Sequence, residues 1–315
     1  MRTEVCLGLD TSNYTTSAAW FDGERGDNAG KLLDVPEGAL GLRQSYALFQ
    51  HVKRMPEIMA RLKETGLPAE LVALGASTRP REVEGSYMPC FLAGESQARG
   101  MAAALELPFY ACSHQQGHIA AAAWSAGRMD LLDKPHLVWH LSGGTTELLK
   151  VEPEGTSVRA EIVGGTSDIS SGQLIDRTGV LLGLQFPAGK ALDALYHQGE
   201  SGRPYRVGLN DLTFSLSGME NKVKGLLEAG EAPANIARFT LDTVTDVVLR
   251  ATREAQARWP GLPVLCSGGV ASNTRLREAL AGECGALFAQ PRFSTDNAMG
   301  TAILTWRALE RERQP

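Results

Sequence analysis

The sequence predicts an α/β protein built from two similar halves. Strand-like apolar runs alternate with helical periodicity along the chain, which is typical of an α/β fold. A strand, a small polar turn and a returning strand occur at residues 5–21 and again at residues 136–151, which indicates duplication. The chain has 315 residues, 43% of them apolar, enough for two lobes. We expect one lobe at residues 1–132 and the other at residues 133–315.

The elements of the first half follow from apolar spacing. A short apolar segment that begins at Val5 is typical of a strand, and a polar segment separates it from a second apolar segment that ends at Phe21. Two segments with apolar residues at helical spacing follow, one of them Ala-rich, and then one more short apolar segment and a third helical segment. The predicted strands are residues 5–9, 17–21 and 108–112, and the predicted helices are residues 45–65, 93–105 and 114–124.

The second half begins with the second copy of the strand, turn and strand pattern. Helical patterns follow, and one more strand runs into a Gly-Gly turn. The predicted strands are residues 136–141, 147–151 and 263–267, and the predicted helices are residues 172–182, 218–228, 234–258 and 273–281. We also expect residues 164–177 to begin a helix, and residues 187–190 to form a turn of close approach.

Composition limits the classes of function. The net charge is −5, so a nucleic acid would have to be bound by local basic contacts or through a partner. Five cysteines without a Cys-x-x-Cys pair favour buried, reduced thiols. The N-terminus lacks the apolar region of a signal peptide, and no apolar stretch reaches membrane-spanning length. We therefore expect a cytoplasmic protein without membrane contact.

Two turns resemble nucleotide-binding loops. Residues 266–273 (Cys-Ser-Gly-Gly-Val-Ala-Ser-Asn) lead from a strand through two glycines into a helix, where backbone N–H groups can approach a base or a phosphate. Residues 142–146 (Ser-Gly-Gly-Thr-Thr) form a donor-rich turn suited to phosphate oxygens. An ordinary strand-to-helix turn stays an equally good interpretation of the first pattern.

A histidine pair indicates a metal site. His114 and His118 are four residues apart on a predicted helix, which places both imidazoles on one face. Two imidazoles with a carboxylate make a half-open shell for Fe²⁺ or Zn²⁺, and Asp296 is the candidate third ligand. Such a pair is more often a packing feature, and spacing does not show that Asp296 converges with it.

Two further carboxylates are candidate contacts for a nucleoside. Asp176 could accept hydrogen bonds from a ribose diol, although a charge on the helix surface is the simpler interpretation of its spacing. Asp193, which follows the turn at residues 187–190, is a second candidate for contact with a ribose or an amine.

In these motifs the chain resembles the tRNA N6-adenosine threonylcarbamoyltransferases (TsaD-like), a family once described as glycoproteases. The resemblance is to a divergent member of that family. The resemblance covers nearly the whole chain. Its motifs are His114 with His118, residues 10–12 (Asp-Thr-Ser), 142–146, 172–177 (Gly-Gln-Leu-Ile-Asp-Arg), 181–189 (Leu-Leu-Gly-Leu-Gln-Phe-Pro-Ala-Gly), 214–218 (Phe-Ser-Leu-Ser-Gly), 268–273 and 295–297 (Thr-Asp-Asn).

The resemblance implies a duplicated actin/Hsp70/sugar-kinase fold with a metal ion between its lobes. It also implies transfer of a threonylcarbamoyl group from its adenylate to N6 of a tRNA adenosine. The implied metal ligands are His114, His118 and Asp296. Residues that would bind the adenylate are Leu141, Ser142, Gly143, Gly144, Thr145, Asp176, Gly189, Asp193, Gly268, Gly269 and Asn273. We assign catalytic roles to Asp10 and Ser142.

The chain departs from the family pattern at several positions near the acyl acceptor. The family's Cys-Asp-Glu-Thr is Asn-Tyr-Thr-Thr at residues 13–16, and its His after Ser-Gly-Gly is Thr145. Its Asp-Asp-x-x-Gly-Glu is Asp-Ile-Ser-Ser-Gly-Gln at residues 168–173. Residues 79–90 replace a short Gly-Pro-Gly loop. Four carboxyl positions are therefore lost, whereas the metal and adenosine positions are kept.

Three functions stay open from the sequence: the tRNA-modifying transferase, a divergent hydrolase that converts the adenylate to AMP, and a non-catalytic nucleotide-binding partner. A second chain of the same fold, either a paralogue or a copy, is an expected partner beside tRNA. A metalloprotease is disfavoured because Gln115 and Gln116 stand where a His-Glu-x-x-His motif has its base. A sugar kinase is disfavoured because such sites use Mg²⁺ and an aspartate base rather than paired imidazoles.

Overall fold

The structure is a computed structural model that describes residues 3–12, 14–35, 42–65, 70–200 and 203–314. Contacts group the chain into two compact units. The first comprises Met1–Lys134, Glu152–Ala160 and Asp296–Pro315, and the second comprises Pro135–Val151 and Glu161–Thr295. The C-terminal segment, which the division at residue 132 assigned to the second lobe, thus groups with the first unit.

The strands of the described chain form two sheets. In chain order they are β1 (Glu4–Asp10), β2 (Thr15–Phe21), β3 (Gly26–Leu32), β4 (Glu70–Arg79), β5 (Phe109–Ser113), β6 (His136–Leu141), β7 (Thr146–Glu154), β8 (Ser157–Thr166), β9 (Leu209–Asn210), β10 (Thr213–Phe214), β11 (Val264–Ser267) and β12 (Leu287–Phe288).

Helices alternate with strands or with groups of strands along the chain, as the sequence pattern predicts. In chain order they are α1 (Gln44–Glu64), α2 (Leu92–Leu105), α3 (His114–Ser125), α4 (Ser171–Leu181), α5 (Gly189–Tyr196), α6 (Ser217–Glu228), α7 (Pro233–Arg258), α8 (Thr274–Cys284) and α9 (Met299–Arg313).

The two sheets repeat one strand order, which supports the predicted duplication. The first sheet runs β3-β2-β1-β4-β5, and the second contains the same sequence of positions as β8-β7-β6-β11-β12. In each, an antiparallel hairpin (β1 with β2, β6 with β7) is followed by a parallel partner (β4, β11). The second sheet continues beyond β8 with β10 and β9.

Each unit has its own apolar core. In the first, Leu7 and Leu9 of β1 pack with Met55 and Ile58 of α1. In the second, Trp139 of β6 is fully buried, and its indole N–H donates to Thr252 Oγ1 of α7 at 2.8 Å. A buried indole needs such a partner. These cores hold the strand ends from which the site residues extend.

Several elements lie outside the predicted set. β3 has mostly polar, half-exposed residues, so it lacks a strand-like apolar pattern. By contrast, the helix expected to begin within residues 164–177 is present as α4, and it begins at Ser171 because β8 continues to Thr166 and Ser170 caps the helix. None of the helices in the described ranges combines the length and apolar character needed to cross a bilayer.

Candidate metal centre and nucleotide site

Two histidines at the start of α3 provide the imidazoles of the candidate metal centre. The hydroxyl of Ser113 accepts the backbone N–H of Gln116, and the Gln116 side chain accepts the backbone N–H of Ser113. This capping box fixes where the helix begins. His114 is thus the first helical residue, His118 lies one turn later, and their Nε2 atoms are 2.9 Å apart.

The third donor comes from the turn that precedes α9. Asp296 Oδ1 lies 3.3 Å from His118 Nε2 and 3.6 Å from His114 Nε2. The backbone N–H of Ala298 donates to Asn28 Oδ1 at 3.0 Å, which ties this turn to β3. One donor atom from each of the three ligand candidates lies within 4.8 Å of the other two. The structure therefore brings together residues whose convergence spacing alone did not show.

Asp10 lies at the end of β1 with its side chain buried, next to the ring nitrogen of His114 that points away from His118 and Asp296. Its Oδ1 accepts the backbone N–H of Ser12 at 2.9 Å, and its Oδ2 lies 2.8 Å from Nδ1 of His114. A carboxylate on the far side of a metal-binding imidazole fixes the orientation and tautomer of the ring. In this position Asp10 orients His114, and any effect on catalysis would act through that ring.

The neighbouring charges control protonation of His114. Burial alone would lower the pKa of His114, but the carboxylates of Asp10 and Asp296 outweigh it and raise this pKa to about 10. Burial alone would raise the pKa of both carboxyl groups. The hydrogen bonds and charges of the imidazoles outweigh that effect, so the pKa of Asp296 lies well below its usual value and that of Asp10 is also lowered. If His114, His118 and Asp296 hold a metal ion, His114 would have to lose a proton on binding.

The donor set fits a transition metal. Two imidazole nitrogens and one carboxylate oxygen suit Fe²⁺ or Zn²⁺, and three protein ligands leave coordination positions for a substrate or water. The side chain of Asp296 is 33% exposed and that of His118 is 9% exposed, so the centre is accessible from the Asp296 side.

Phe91 lies beside the centre but was not singled out from the sequence, whereas Thr11 and Cys90 belong to segments that were. The ring of Phe91 lies 6.1 Å from that of His114, and Thr11 Oγ1 donates to the carbonyl of Cys90 at 3.0 Å. β1, β4 and β5 run parallel, so their carboxyl ends share one sheet edge. Asp10 and His114 lie at that edge, so this topology would have predicted their proximity.

The turn between β6 and β7 is the first part of the candidate nucleotide site, in the second unit. Ser142 Oγ accepts the backbone N–H of Thr145 at 3.0 Å, and the Ser142 N–H donates to the Thr145 carbonyl at 2.8 Å. Gly143 and Gly144 are exposed, whereas the side chain of Leu141 is buried. Leu141 can therefore contact a ligand only through its backbone.

The Gly-Gly turn after β11 lies against this hairpin. Gly268 has φ +97°, and a Cβ there would overlap the carbonyl group of Leu141, so only glycine fits. Gly269 begins a 3₁₀ turn, and apart from its chain neighbours no atom of the described residues lies within 4 Å of the place its Cβ would take. The backbone at Gly269 is therefore open to a ligand.

Asp193 and Asn273 meet at the start of α8. The Asn273 amide donates to Asp193 Oδ1 at 2.7 Å, and the hydroxyl of Thr274 donates to the same oxygen at 2.9 Å. Asn273 Oδ1 also accepts the backbone N–H of Leu276 at 3.0 Å, as the N-cap of α8. These two predicted site residues thus form one hydrogen-bonded cluster.

Asp176 lies on α4 beside the start of α5. Its Oδ1 accepts the backbone N–H of Ala188 at 2.8 Å, and burial raises the pKa of this carboxyl group despite that bond. Gly189 is the first residue of α5, and among described residues outside the local backbone a Cβ there would meet only Ile175 Cγ2, at 3.9 Å. The expected turn of close approach does lie close to α4, because a Cβ atom at Gly179 would overlap the Cβ of Ala188. At Gly189 the protein's own described atoms leave space.

The altered position Gln173 and the retained Asp168 of the same family motif both have structural roles near α4. Gln173 and Ser170 form a capping box at 3.0 and 3.3 Å, a role in which Gln and Glu are equivalent. Asp168 accepts the backbone N–H of Leu216 at 2.8 Å and the hydroxyl of Ser215. Burial alone would raise the pKa of Asp168, but these hydrogen bonds hold it below its usual range. Gln173 therefore keeps the capping geometry that a Glu would provide.

Comparison with known proteins identifies the family. The model for tRNA N6-adenosine threonylcarbamoyltransferase matches residues 45–303. A protein of that name from Thermus thermophilus is 33% identical, with 100% of this chain and 95% of the relative covered. One from Paramagnetospirillum magneticum is 30% identical, with 98% and 92% covered.

Solved structures agree on the fold. Full-length HypF in its phosphate- and nucleotide-bound form aligns with a TM-score of 0.64 at 14% identity, covering 100% of this chain and 57% of HypF. Component A of (R)-2-hydroxyglutaryl-CoA dehydratase from Acidaminococcus fermentans aligns at 0.55 and 16% identity, covering 97% and 99%. The predicted actin/Hsp70/sugar-kinase fold is confirmed. The chain belongs to the tRNA N6-adenosine threonylcarbamoyltransferase family and is an enzyme of the threonylcarbamoyltransferase type.

Proposed function

We propose that this enzyme binds one Fe²⁺ or Zn²⁺ ion through His114, His118 and Asp296 and depends on it for catalysis. The substrate is threonylcarbamoyl adenylate, and the acceptor is N6 of a tRNA adenosine. The observation that carries the proposal is the cluster of two imidazoles and a carboxylate within 4.8 Å, with Asp10 at 2.8 Å behind His114. Such a carboxylate behind the ring is characteristic of metal-binding histidines.

The second unit would bind the adenosine half of the adenylate. Asp176 has a second carboxylate oxygen beside the one that accepts from Ala188, and it would accept a ribose hydroxyl. The open backbone at Gly269, near Asn273, would face the base. The exposed backbone N–H groups of Gly143 and Gly144 would donate to the phosphate, where negative charge grows as AMP departs.

The adenylate is already an activated acyl donor, so positioning would provide much of the rate. The bound ion would supply Lewis acidity toward the acyl oxygens. Asp10 would keep His114 in its ligating orientation throughout. A tRNA acceptor would need local basic contacts or a partner chain, because the net charge is −5. A paralogue or a second copy as that partner stays a prediction from the family resemblance.

The test is a product assay with the metal-loaded protein and the adenylate, with and without tRNA. The proposal expects modified tRNA, and it expects its loss in the His114→Ala/His118→Ala variant. Gln115→Ala, on the same helix, is the matched control and should keep activity. Product that is equal in all three proteins would refute the proposed metal dependence.

Hydrolysis of the adenylate is the second candidate. It is favoured by Tyr14, Thr15 and Thr145, which provide neither the carboxylates nor the imidazole of the family pattern. A loosely held acceptor loses most of its positional advantage, and water at an open metal position would then compete. In that case AMP forms without tRNA, and the Tyr14→Asp/Thr15→Glu variant should shift product toward modified tRNA. A protein that binds the adenylate without forming either product would instead be a non-catalytic partner.

A further inference from the structure

The helices that carry the two parts of the metal centre meet at a pair of glycines. Gly117 lies on α3 between the two histidines, and Gly300 lies in the first turn of α9, four residues after Asp296. A Cβ atom at Gly300 would overlap the carbonyl oxygen of Gly117 and lie 2.5 Å from its carbonyl carbon. Because Cβ atoms stay beyond 3.0 Å of such atoms, any other residue at position 300 requires a backbone shift.

The crowding is one-sided. A Cβ atom at Gly117 would have Thr301 Oγ1 as its nearest neighbour, at 3.5 Å, which is an ordinary contact. The carbonyl of Gly117 and the backbone of Gly300 therefore set how close α3 and α9 come. A methyl group at position 117 would fit, whereas one at position 300 would not.

α9 has little room to move away from α3, because it also lies directly on the sheet. A Cβ atom at Gly8 of β1 would lie 2.9 Å from the carbonyl oxygen of Ala298 and from Cα of Ala302. A Cβ atom at Gly75 of β4 would overlap Thr305 Oγ1. Gly8 thus lets the α9 backbone touch β1, and Gly75 lets the Thr305 side chain of α9 touch β4. A push at position 300 would therefore move α3 or the turn that carries Asp296.

We infer that Gly300 is a positioning residue that sets the distance from the Asp296 carboxylate to the two imidazoles. The inference rests on the proposed metal binding. The added Cβ atom would force the two backbones apart by about half an ångström or more. Ligand constellations have to be held within about 0.5 Å of their working geometry, so such a shift is large enough to impair coordination.

The test measures Zn²⁺ affinity by competition with a chromogenic chelator for wild type and Gly300→Ala. We expect at least about tenfold weaker binding in the variant, as for other changes that disturb ligand orientation. Gly100→Ala is the control, because it lies on a helix of the same unit where a Cβ meets no described atom within 4 Å. It should bind Zn²⁺ like wild type.

A compensating change separates positioning from general damage. Asp296→Glu adds one methylene to the ligand, which should weaken binding in the wild-type background and restore it in Gly300→Ala. If Gly300→Ala does not fold, the same measurements are made on Gly117→Val. The valine methyl groups of that variant would push against Thr301 and so separate α3 from α9 from the opposite side.

Weak binding in the single variant, with recovery in the double variant, supports the inference. Wild type that binds Zn²⁺ and a Gly300→Ala protein that binds equally well would overturn the inference alone. Loss without recovery by Asp296→Glu would also overturn it, because the damage would then not be one of distance. Wild type without Zn²⁺ affinity would instead defeat the proposed function itself.

Discussion

Asp10 and His114 are joined by a 2.8 Å contact between carboxylate Oδ2 and ring Nδ1, and this contact turns Nε2 of His114 toward His118 and Asp296. Asp10 is held in turn by the backbone N–H of Ser12. The end of β1 therefore orients a side chain of α3, although 104 positions separate the two residues in the sequence.

Replacing Asp10 by Asn should weaken metal binding about tenfold or more, because the amide keeps the size but loses the charge that supports the imidazole. Zn²⁺ affinity of purified protein is the measurement. Asp34→Asn is the matched control, since the Asp34 carboxylate is exposed and pairs with Arg54. Equal affinity of wild type and Asp10→Asn would show that Asp10 does not support the ligand.

Metal binding should release about one proton near neutral pH. The carboxylates of Asp10 and Asp296 raise the pKa of His114 to about 10, so the metal-free ring carries a proton that the ion must displace. Affinity should therefore fall as the pH is lowered. Calorimetry in two buffers of different ionisation enthalpy counts the released protons. Binding heats that do not depend on the buffer would contradict this assignment.

His51 should make folding stability sensitive to mild acid. Its ring is buried with Nδ1 2.9 Å from Thr16 Oγ1, and burial lowers its pKa from 6.5 to about 4. Between these values the unfolded chain binds a proton that the folded chain does not. Stability is therefore lost as the pH falls through this window, by up to about 3 kcal/mol. Urea unfolding gives the free energy of unfolding at pH 7 and at pH 4.5. The loss between the two pH values should be smaller for His51→Asn than for wild type. An equal loss in both proteins would be inconsistent with a neutral buried His51.

Removing the Asp176 carboxylate should weaken AMP or ATP binding by roughly 1.5–3 kcal/mol, the usual range for hydrogen bonds to a charged group. Calorimetry on Asp176→Ala gives the value. Asp211→Ala removes an exposed carboxylate of the same unit that pairs with Arg258, and it should bind the nucleotide like wild type. Unchanged affinity of Asp176→Ala would rule out its placement at the ribose.

Residues with local signals were predictable from the sequence. The spacing of His114 and His118 places both imidazoles on one face of any helix that contains them. The sequence predicts a helix over residues 114–124, which is close to the observed α3. The hairpin of β6 and β7 was likewise evident, because its strands are apolar and its turn is small and polar.

Residues that act through distant contacts were not predictable. Asp10 lies 104 positions before His114 in the sequence, and only the parallel order of β1, β4 and β5 brings the two residues to one sheet edge. Gly300 gains its importance from the carbonyl of Gly117, a contact that no local pattern encodes. The altered position at Gln173 looked functional in the sequence, whereas the structure gives it a capping role.

The metal content of purified protein tests the central claim most directly. Elemental analysis of wild type and of the His114→Ala/His118→Ala variant, prepared identically and without added metal, measures Fe and Zn per chain. We expect close to one transition-metal ion per wild-type chain and little in the variant, with both proteins folded by circular dichroism. Equal metal content in the two proteins would contradict the assignment of His114, His118 and Asp296 as the metal centre.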